Sequence, residues 1–326
     1  MGRFILRRVL LLIPIMLGVM LILFIIRSLT PGDPVDHLLS ANATEEEREA
    51  KREELGLNDP LPLQFVNYVV GVCKGDLGTS YTTHQGVLGE LLYRFPYTVC
   101  ICFGAVFLGL IIGIPLGILS ALKQYSWIDS LVLVFSMIFA ACPGFVLALL
   151  LISLFSVNLH WLPAVGIQGW TSFILPMVSI GLGSISHYTR ITRSSFLEVI
   201  RQDYIRTARS KGQTEGKIVV SHALRNAFIP IAANIGVQIG HQLGGALIVE
   251  TVFGIPGIGK YIGDAISARN FPAIQGGVLF LAFVFTIVNI LTDISFVFIN
   301  PRLKDSIIKS KGKVKIAKGR AGRSAA

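Results

Sequence analysis

Charge is what this 326-residue chain has least of. Asp, Glu, Lys and Arg make up 15% of it, against 52% hydrophobic residues and a mean hydropathy of +0.67. A soluble domain of this length carries more charge and shorter apolar runs, so that class is excluded. Between Asp129 and Arg190 the ionisable side chains are Cys142, His160, His187 and Tyr188 alone. Cysteine is sparse too. Of Cys73, Cys100, Cys102 and Cys142, three fall in apolar runs and Cys73 has no partner outside them, so no disulfide framework is expected. The six histidines show no HxxxH or comparable spacing, which argues against a metal site. A nucleophile elbow and a paired catalytic carboxylate are both missing, so no catalytic residue is assigned.

One stretch imitates a nucleotide site. "GIPGIGKY" (Gly254–Tyr261) nearly fits the phosphate-binding pattern GxxxxGK[ST], but Tyr261 stands where a small hydroxyl would hold magnesium. No strand–loop–helix context surrounds it. A Gly/Pro-rich loop skirting the membrane is the expected reading.

Long apolar runs are what the chain has most of. A helix needs about 20 apolar residues to cross the hydrocarbon core. Six spans are expected, near 9–29, 97–122, 130–156, 172–191, 227–250 and 274–298. The third and fourth are separated by "NLHWLPAVGIQGWTS", whose proline, glycines and tryptophans suit a membrane–water interface. The opening run has the basic flank of a signal peptide. It is too long for a typical signal core and no small-x-small site follows, so a retained anchor is expected.

The positive charge is lopsided. The N-terminus, the 123–129 turn, the 190–226 segment and the tail beyond 300 hold 21 of the 29 Lys and Arg. The positive-inside rule puts that side in the cytoplasm, with both termini. The net charge of +10 is then mostly topological; nucleic acid is not an expected partner, and the tail suits anionic lipid. The order expected is an anchor (1–29), an extracytoplasmic segment (30–94), a core of spans 2–6 with a long cytoplasmic loop (95–300) and a basic tail (301–326). In the extracytoplasmic segment "NATEEEREAKREELG" predicts a helix capped by Thr44 and Glu47 and ended by Gly56, and a second helix follows Pro60 and Pro62.

Two patterns inside the spans invite function. Gly236, Gly240 and Gly244 suit close helix packing. Asn234, Gln238 and His241 share a roughly opposite face of the same helix. Polar groups are costly in hydrocarbon, so that stripe faces either other helices or a wet pathway. Asp293 shares a face with Asn289 and is expected in a buried polar network. The cytoplasmic segment 190–226 has helical periodicity, with Leu197, Ile200, Tyr204 and Ala208 on one side. Gly212 permits a sharp turn, and "KIVVSHALRNAF" can start a second helix leading into span 5.

This loop carries a resemblance. "RTARSKGQTEGKIVVSHALR" resembles the EAA loop of permease subunits of ABC importers. Ala208 matches its second alanine and Gly212 its glycine, while Arg206 and Thr207 replace its Glu and first Ala, and Arg225 stands at the proline position. "YIRTARSKG" followed by "HALRNA", together with "LRRVLLLIPIMLGVMLILFIIRSLTPGDP", "LGLNDPLPLQFVNYVVGVCKGDLGTSY" and "VETVFGIPGIGKYIGDAISARNFPAIQG", resembles the dipeptide/oligopeptide/nickel branch over nearly the whole chain.

The resemblance implies an all-α integral membrane protein of the type I ABC importer permease fold, in a prokaryotic cell membrane. It implies a second, similar permease, two cytoplasmic ATPase subunits that use ATP and magnesium, and an extracytoplasmic solute-binding protein. The chain itself would need no cofactor and would not be an enzyme. Asp203, Tyr204, Arg206, Thr207, Ala208, Arg209 and Gly212 would form the ATPase contact, and Asn234, Gln238 and His241 would line the path. A di- or oligopeptide is the expected solute, with nickel, glutathione or an oligosaccharide as alternatives. An ion-coupled secondary transporter would instead show an inverted repeat and intramembrane acids, and a scaffold without transport would tolerate replacement of the loop.

Overall fold

The structure, a computed structural model, describes residues 2–31, 35, 39, 43–54 and 56–299. The basic tail after 300, and part of the segment between the first two spans, lie outside the described residues. Among those described there is no strand, only an isolated bridge between Thr79 and Gly86.

The helices are α1 (Gly2–Leu29), α2 (Glu45–Glu54), α3 (Leu61–Cys73), α4 (Val87–Leu122), α5 (Trp127–Ala141), α6 (Gly144–Leu151), α7 (Ile174–Ile200), α8 (Asp203–Ser210), α9 (Glu215–Lys217), α10 (Arg225–Val252), α11 (Ile258–Ser267) and α12 (Phe271–Ile299). Two π-helical stretches, Ile152–Asn158 and Ile218–Leu224, extend α6 and lead into α10.

Local chemistry sets several boundaries. The Thr44 N–H donates to Glu47 Oε2 at 2.9 Å and the Glu47 N–H to Thr44 Oγ1 at 3.3 Å, the reciprocal box that starts α2. Gly56 takes φ +64° just beyond its end. α3 begins after Pro60 with a second proline in its first turn, where a missing N–H costs nothing. Ser126 caps α5.

The middle of the bundle is α4, α7 and α10. Gly109, Gly113 and Gly117 of α4 lie against Ser184, Tyr188, Thr189 and Thr192 of α7; a Cβ at Gly113 would stand 2.8 Å from the Ile185 carbonyl oxygen. The fourfold glycine spacing therefore brings two backbones together. In α10 the expected division of faces is present. Gly236 meets Thr292 and Gly240 meets Phe285 of α12, while Gln238 reaches Ser184 of α7 at 3.5 Å. Gly244 has no neighbour as close. α1, α3 and α12 form one flank around Met16, Met20, Leu23 and Leu279. α5 and α6 form the other. Leu, Ile, Val and Phe side chains of α1, α4 and α5 are exposed, as a lipid-facing surface requires.

The expected span 130–156 is not one straight rod. α5 and the α6 run meet at 100°. Pro143 removes a helical N–H and displaces the preceding turn, and Cys142 is extended at φ −81°, ψ 120°. Among the described residues four helices are long and apolar enough to cross a membrane, and this bent pair, counted as one span, brings the number to five. The remaining expected span, 172–191, begins in the turn before α7 and otherwise lies within it. Ser179, Ser184, Ser186, His187, Thr189 and Arg190 make that helix more polar than the rest, and most of these side chains are turned inward.

Both ends of the bundle are tied by polar groups. At one end Arg193 of α7 grips the buried Asp129 of α5 with two 2.8 Å hydrogen bonds, and the same carboxylate accepts from Ser120 Oγ and the Tyr125 N–H. Arg8 of α1 pairs with Asp293 of α12 at 3.0 Å on this end too. Asp293 therefore belongs to a half-exposed ion pair, not to the buried network expected with Asn289, whose amide donates to the Phe285 carbonyl. At the other end Asn270 holds the 80–82 loop through Tyr81 N–H, Ser80 Oγ and Thr82 Oγ1.

Candidate coupling elbow and pathway wall

The segment after α7 forms an elbow. The sequence predicts a helix running on from 194 with Leu197, Ile200, Tyr204 and Ala208 on one side. The structure interrupts it at Arg201–Gln202, and α8 restarts at Asp203. The interruption changes the helical phase. Ile205 and Ala208 turn inward, 0% and 7% exposed, and Tyr204 turns outward at 43%. Ile205 and Ala208 pack with Ala121, Phe196, Ile218, Ala223 and Ala227, a small apolar heart under the elbow. Ala208 thus packs against this chain's own helices.

Asp203, Tyr204, Arg206, Thr207, Arg209 and Gly212 are exposed on the far side. Gly212 takes φ +74°, a left-handed conformation that a side chain disfavours, and reverses the chain. Beyond it α9, the π-helical stretch and α10 form an unbroken helical run from Glu215 to Val252, 38 residues long.

Braces tie α8 and the turn to this second arm. Arg209 holds Glu215 through Nε at 2.7 Å and an NH2 group at 3.1 Å across the Gly212 turn. This hydrogen bond raises the pKa of the Arg209 guanidinium above its usual value. Gln213 pairs with His222 at 2.7 Å, and the Asn226 amide donates to Tyr204 Oη at 3.1 Å. These ties, with the shared apolar contacts of Ile205 and Ala208 on Ile218, Ala223 and Ala227, link α8 to the start of α10. The π-helical stretch at the junction was not legible in the sequence, which shows no Gly or Pro there to signal it.

The pathway candidates lie further along α10. Gln238 and Gln242 both donate to Ser184 Oγ of α7. Asn234 donates to the Pro230 carbonyl at 3.0 Å, and His241 is exposed. Facing them, α7 contributes two residues that sequence reasoning passed over. His187 lies within reach of Asn234, His241 and Arg190. Arg190 is exposed on the next turn. Their signal was present: they are the next basic groups after His160, and they stand one helical turn apart.

The near-match to a phosphate loop has a different purpose. Glu250, 0% exposed at the end of α10, accepts from Thr98 Oγ1 at 2.6 Å and from the Lys260 N–H at 3.1 Å. Thr98 Oγ1 in turn accepts from the Ile258 N–H at 2.9 Å. The amides opening α11, which a phosphate would need, are already held by side chains of α10 and α4. Gly257 and Gly259 have no side chain because Glu250 and the Leu247 backbone lie against them.

Comparison with known proteins agrees with this architecture. The family described as "Binding-protein-dependent transport system inner membrane component" matches residues 113–305, and its N-terminal companion matches 1–102. The glutathione transport system permease protein GsiC of Pectobacterium atrosepticum is 38% identical over 304 residues, covering 93% of this chain and 99% of that one. The dipeptide transport system permease protein DppB of Alkalihalophilus pseudofirmus is 38% identical over 326 residues, covering 91% and 98%. Among solved structures, an inward-facing form of the MetNI methionine ABC transporter matches 64% of this chain and 96% of its own at a TM-score of 0.56 and 18% identity, a likeness of fold.

Proposed function

Since the chain belongs to the family of binding-protein-dependent transport system inner membrane components, a multi-pass membrane permease of an ABC importer, we propose that it imports small peptides. In this reading it forms the translocation path with a second permease of similar fold. Its basic end faces the cytoplasm, where two ATPase subunits bind ATP and magnesium, and a binding protein delivers the solute to the opposite end. The chain binds no nucleotide of its own and hydrolyses nothing.

The braced elbow carries this reading. Asp203, Tyr204, Arg206, Thr207, Arg209 and Gly212 present the contact to the ATPase, and Ala208 holds the contact helix down on the bundle. Arg206 is exposed and has no acidic partner among the described residues, so its guanidinium is available to an acid on another subunit. Closure of the ATPase pair pushes α8, the braces pass the push across Gly212, and α10 moves the wall bearing Asn234, Gln238 and His241. A helix transmits such a push because its backbone is hydrogen-bonded along its whole length.

Peptide as solute is supported by the two relatives at 38% identity, one named for dipeptide and one for glutathione, itself a tripeptide. Uptake of a labelled dipeptide by cells carrying the whole importer tests this. Uptake should persist when the proton gradient is collapsed and stop when ATP is depleted. The reverse pattern belongs to an ion-coupled carrier. Competition by unlabelled glutathione, nickel or an oligosaccharide separates the alternatives within the branch.

A further inference from the structure

The α7–α10 wall holds one fixed positive charge, Arg190, with two imidazole rings beside it. His187 and Arg190 stand on adjacent turns of α7, and His241 stands opposite on α10, within electrostatic range of His187. Arg190 and His241 are exposed, and no acid pairs with either among the described residues. His187 Nε2 is buried with no hydrogen-bond partner. A buried ring nitrogen in that state keeps its appetite for a polar group.

The acids of the neighbouring helices are occupied or distant. Asp129 of α5 is held by Arg193, Asp293 of α12 by Arg8, and Glu90 of α4 by Arg94. Glu250, on the same helix as His241, is committed to Thr98 and the start of α11. Glu198 of α7 lies eight residues beyond Arg190, about 12 Å along the axis. The exposed Arg190 guanidinium, with no carboxylate beside it among the described residues, is open to an anionic group. Both permanent charge and geometry suit a carboxylate, which a guanidinium can bind with two parallel hydrogen bonds.

We propose that His187, Arg190 and His241 form a carboxylate-recognising stretch of the translocation path, so that the permease itself favours solutes bearing anionic groups over cationic ones. This inference rests on the peptide-import reading and deepens it. Arg190 and His241 meet the passing carboxylate, and the His187 ring lies within reach of both. Because the two exposed groups sit on different helices, movement of α10 against α7 changes the spacing of the sites and hands the anion along. The solute class singled out is the peptide with an acidic side chain.

The test compares two labelled tripeptides, Ala-Glu-Ala and Ala-Lys-Ala, in cells expressing the complete importer. The binding protein is the same in every strain, so a change in the ratio of their uptake rates between strains reports the permease. Arg190→Gln should lower the Glu-to-Lys uptake ratio about fivefold, the effect of losing roughly 1 kcal/mol of charge attraction in a half-solvated site. Arg190→Lys should restore most of the ratio. His241→Gln, at an exposed position on the other helix, should move the ratio in the same direction by a smaller factor. Ratios unchanged in both Gln variants, with uptake still proceeding, would overturn the inference while leaving peptide import standing. A wild-type importer that takes up neither probe would instead overturn the peptide reading and this inference with it.

Discussion

The two ends of α10 are fastened by different means. At the cap end the ties are buried. Glu250 lies at 0% exposure, closed in by Thr98, Gly257 and Gly259 and bonded to the start of α11. At the elbow end the ties are more exposed: Arg209–Glu215 and Tyr204–Asn226 lie on the surface and Gln213–His222 is half-buried, around a π-helical junction. Buried polar ties cost much to break, because each group left unpaired keeps its desolvation penalty. Surface ties hold geometry with little energy. A lever needs that asymmetry: an anchored far end, and a near end that can shift as a unit.

Mutations can break the comparison, beginning with the anchor. Glu250→Ala leaves the Thr98 hydroxyl and the Lys260 amide without their acceptor inside the protein, and should cost about 3 kcal/mol. Thermal unfolding in detergent should register a large drop in midpoint; an unchanged midpoint would show that the cap end is not anchored through this carboxylate. At the elbow, Gly212→Trp forces a side chain into a left-handed conformation at a cost of about 1–2 kcal/mol. The position is open, so the protein should still insert and accumulate. Solute-stimulated ATP hydrolysis and uptake should nevertheless be lost, since the bulky ring would stand on the surface proposed to meet the ATPase.

These two positions also mark how far the sequence could be read. Gly212 was visible as a turn because glycine between two periodic runs has few other uses. The Thr44–Glu47 box and the Pro60/Pro62 helix start were visible for the same reason: each rests on contacts within a few residues. The α10 faces were legible because helical period alone separates Gly236 and Gly240 from Gln238. Glu250 was not legible as an anchor, since its partners Thr98 and Lys260 are brought to it by two other helices, α4 and α11. The inward turn of Ile205 was hidden because the interruption at 201–202 resets the phase without a Gly or Pro to announce it. His187 and Arg190 were overlooked because their meaning comes from α10 across the gap, not from their own helix. The solute preference leaves even less trace, because a path wall is assembled from surfaces that a single helix does not define.

Smaller changes sharpen the elbow side. Glu215→Gln removes one charge of the exposed pair with Arg209. It should leave thermal stability unchanged and reduce uptake by no more than about twofold, since exposed ion pairs hold little energy. A severe loss would mean that this pair is the principal strut. Tyr204→Phe removes only the acceptor for Asn226, and at an exposed site should shift stability by less than about 0.5 kcal/mol. Uptake by that variant, measured beside Glu215→Gln, shows whether the braces share the load.

The most direct measurement is a cross-link from the elbow in the assembled importer. A cysteine at the exposed Thr207 position (Thr207→Cys), joined to a short bifunctional reagent, should capture an ATPase subunit, and the yield should change when a non-hydrolysable ATP analogue is added. Capture of lipid or of nothing, with yield indifferent to nucleotide in an importer that still transports, would contradict a force path running from the ATPase through α8 into α10.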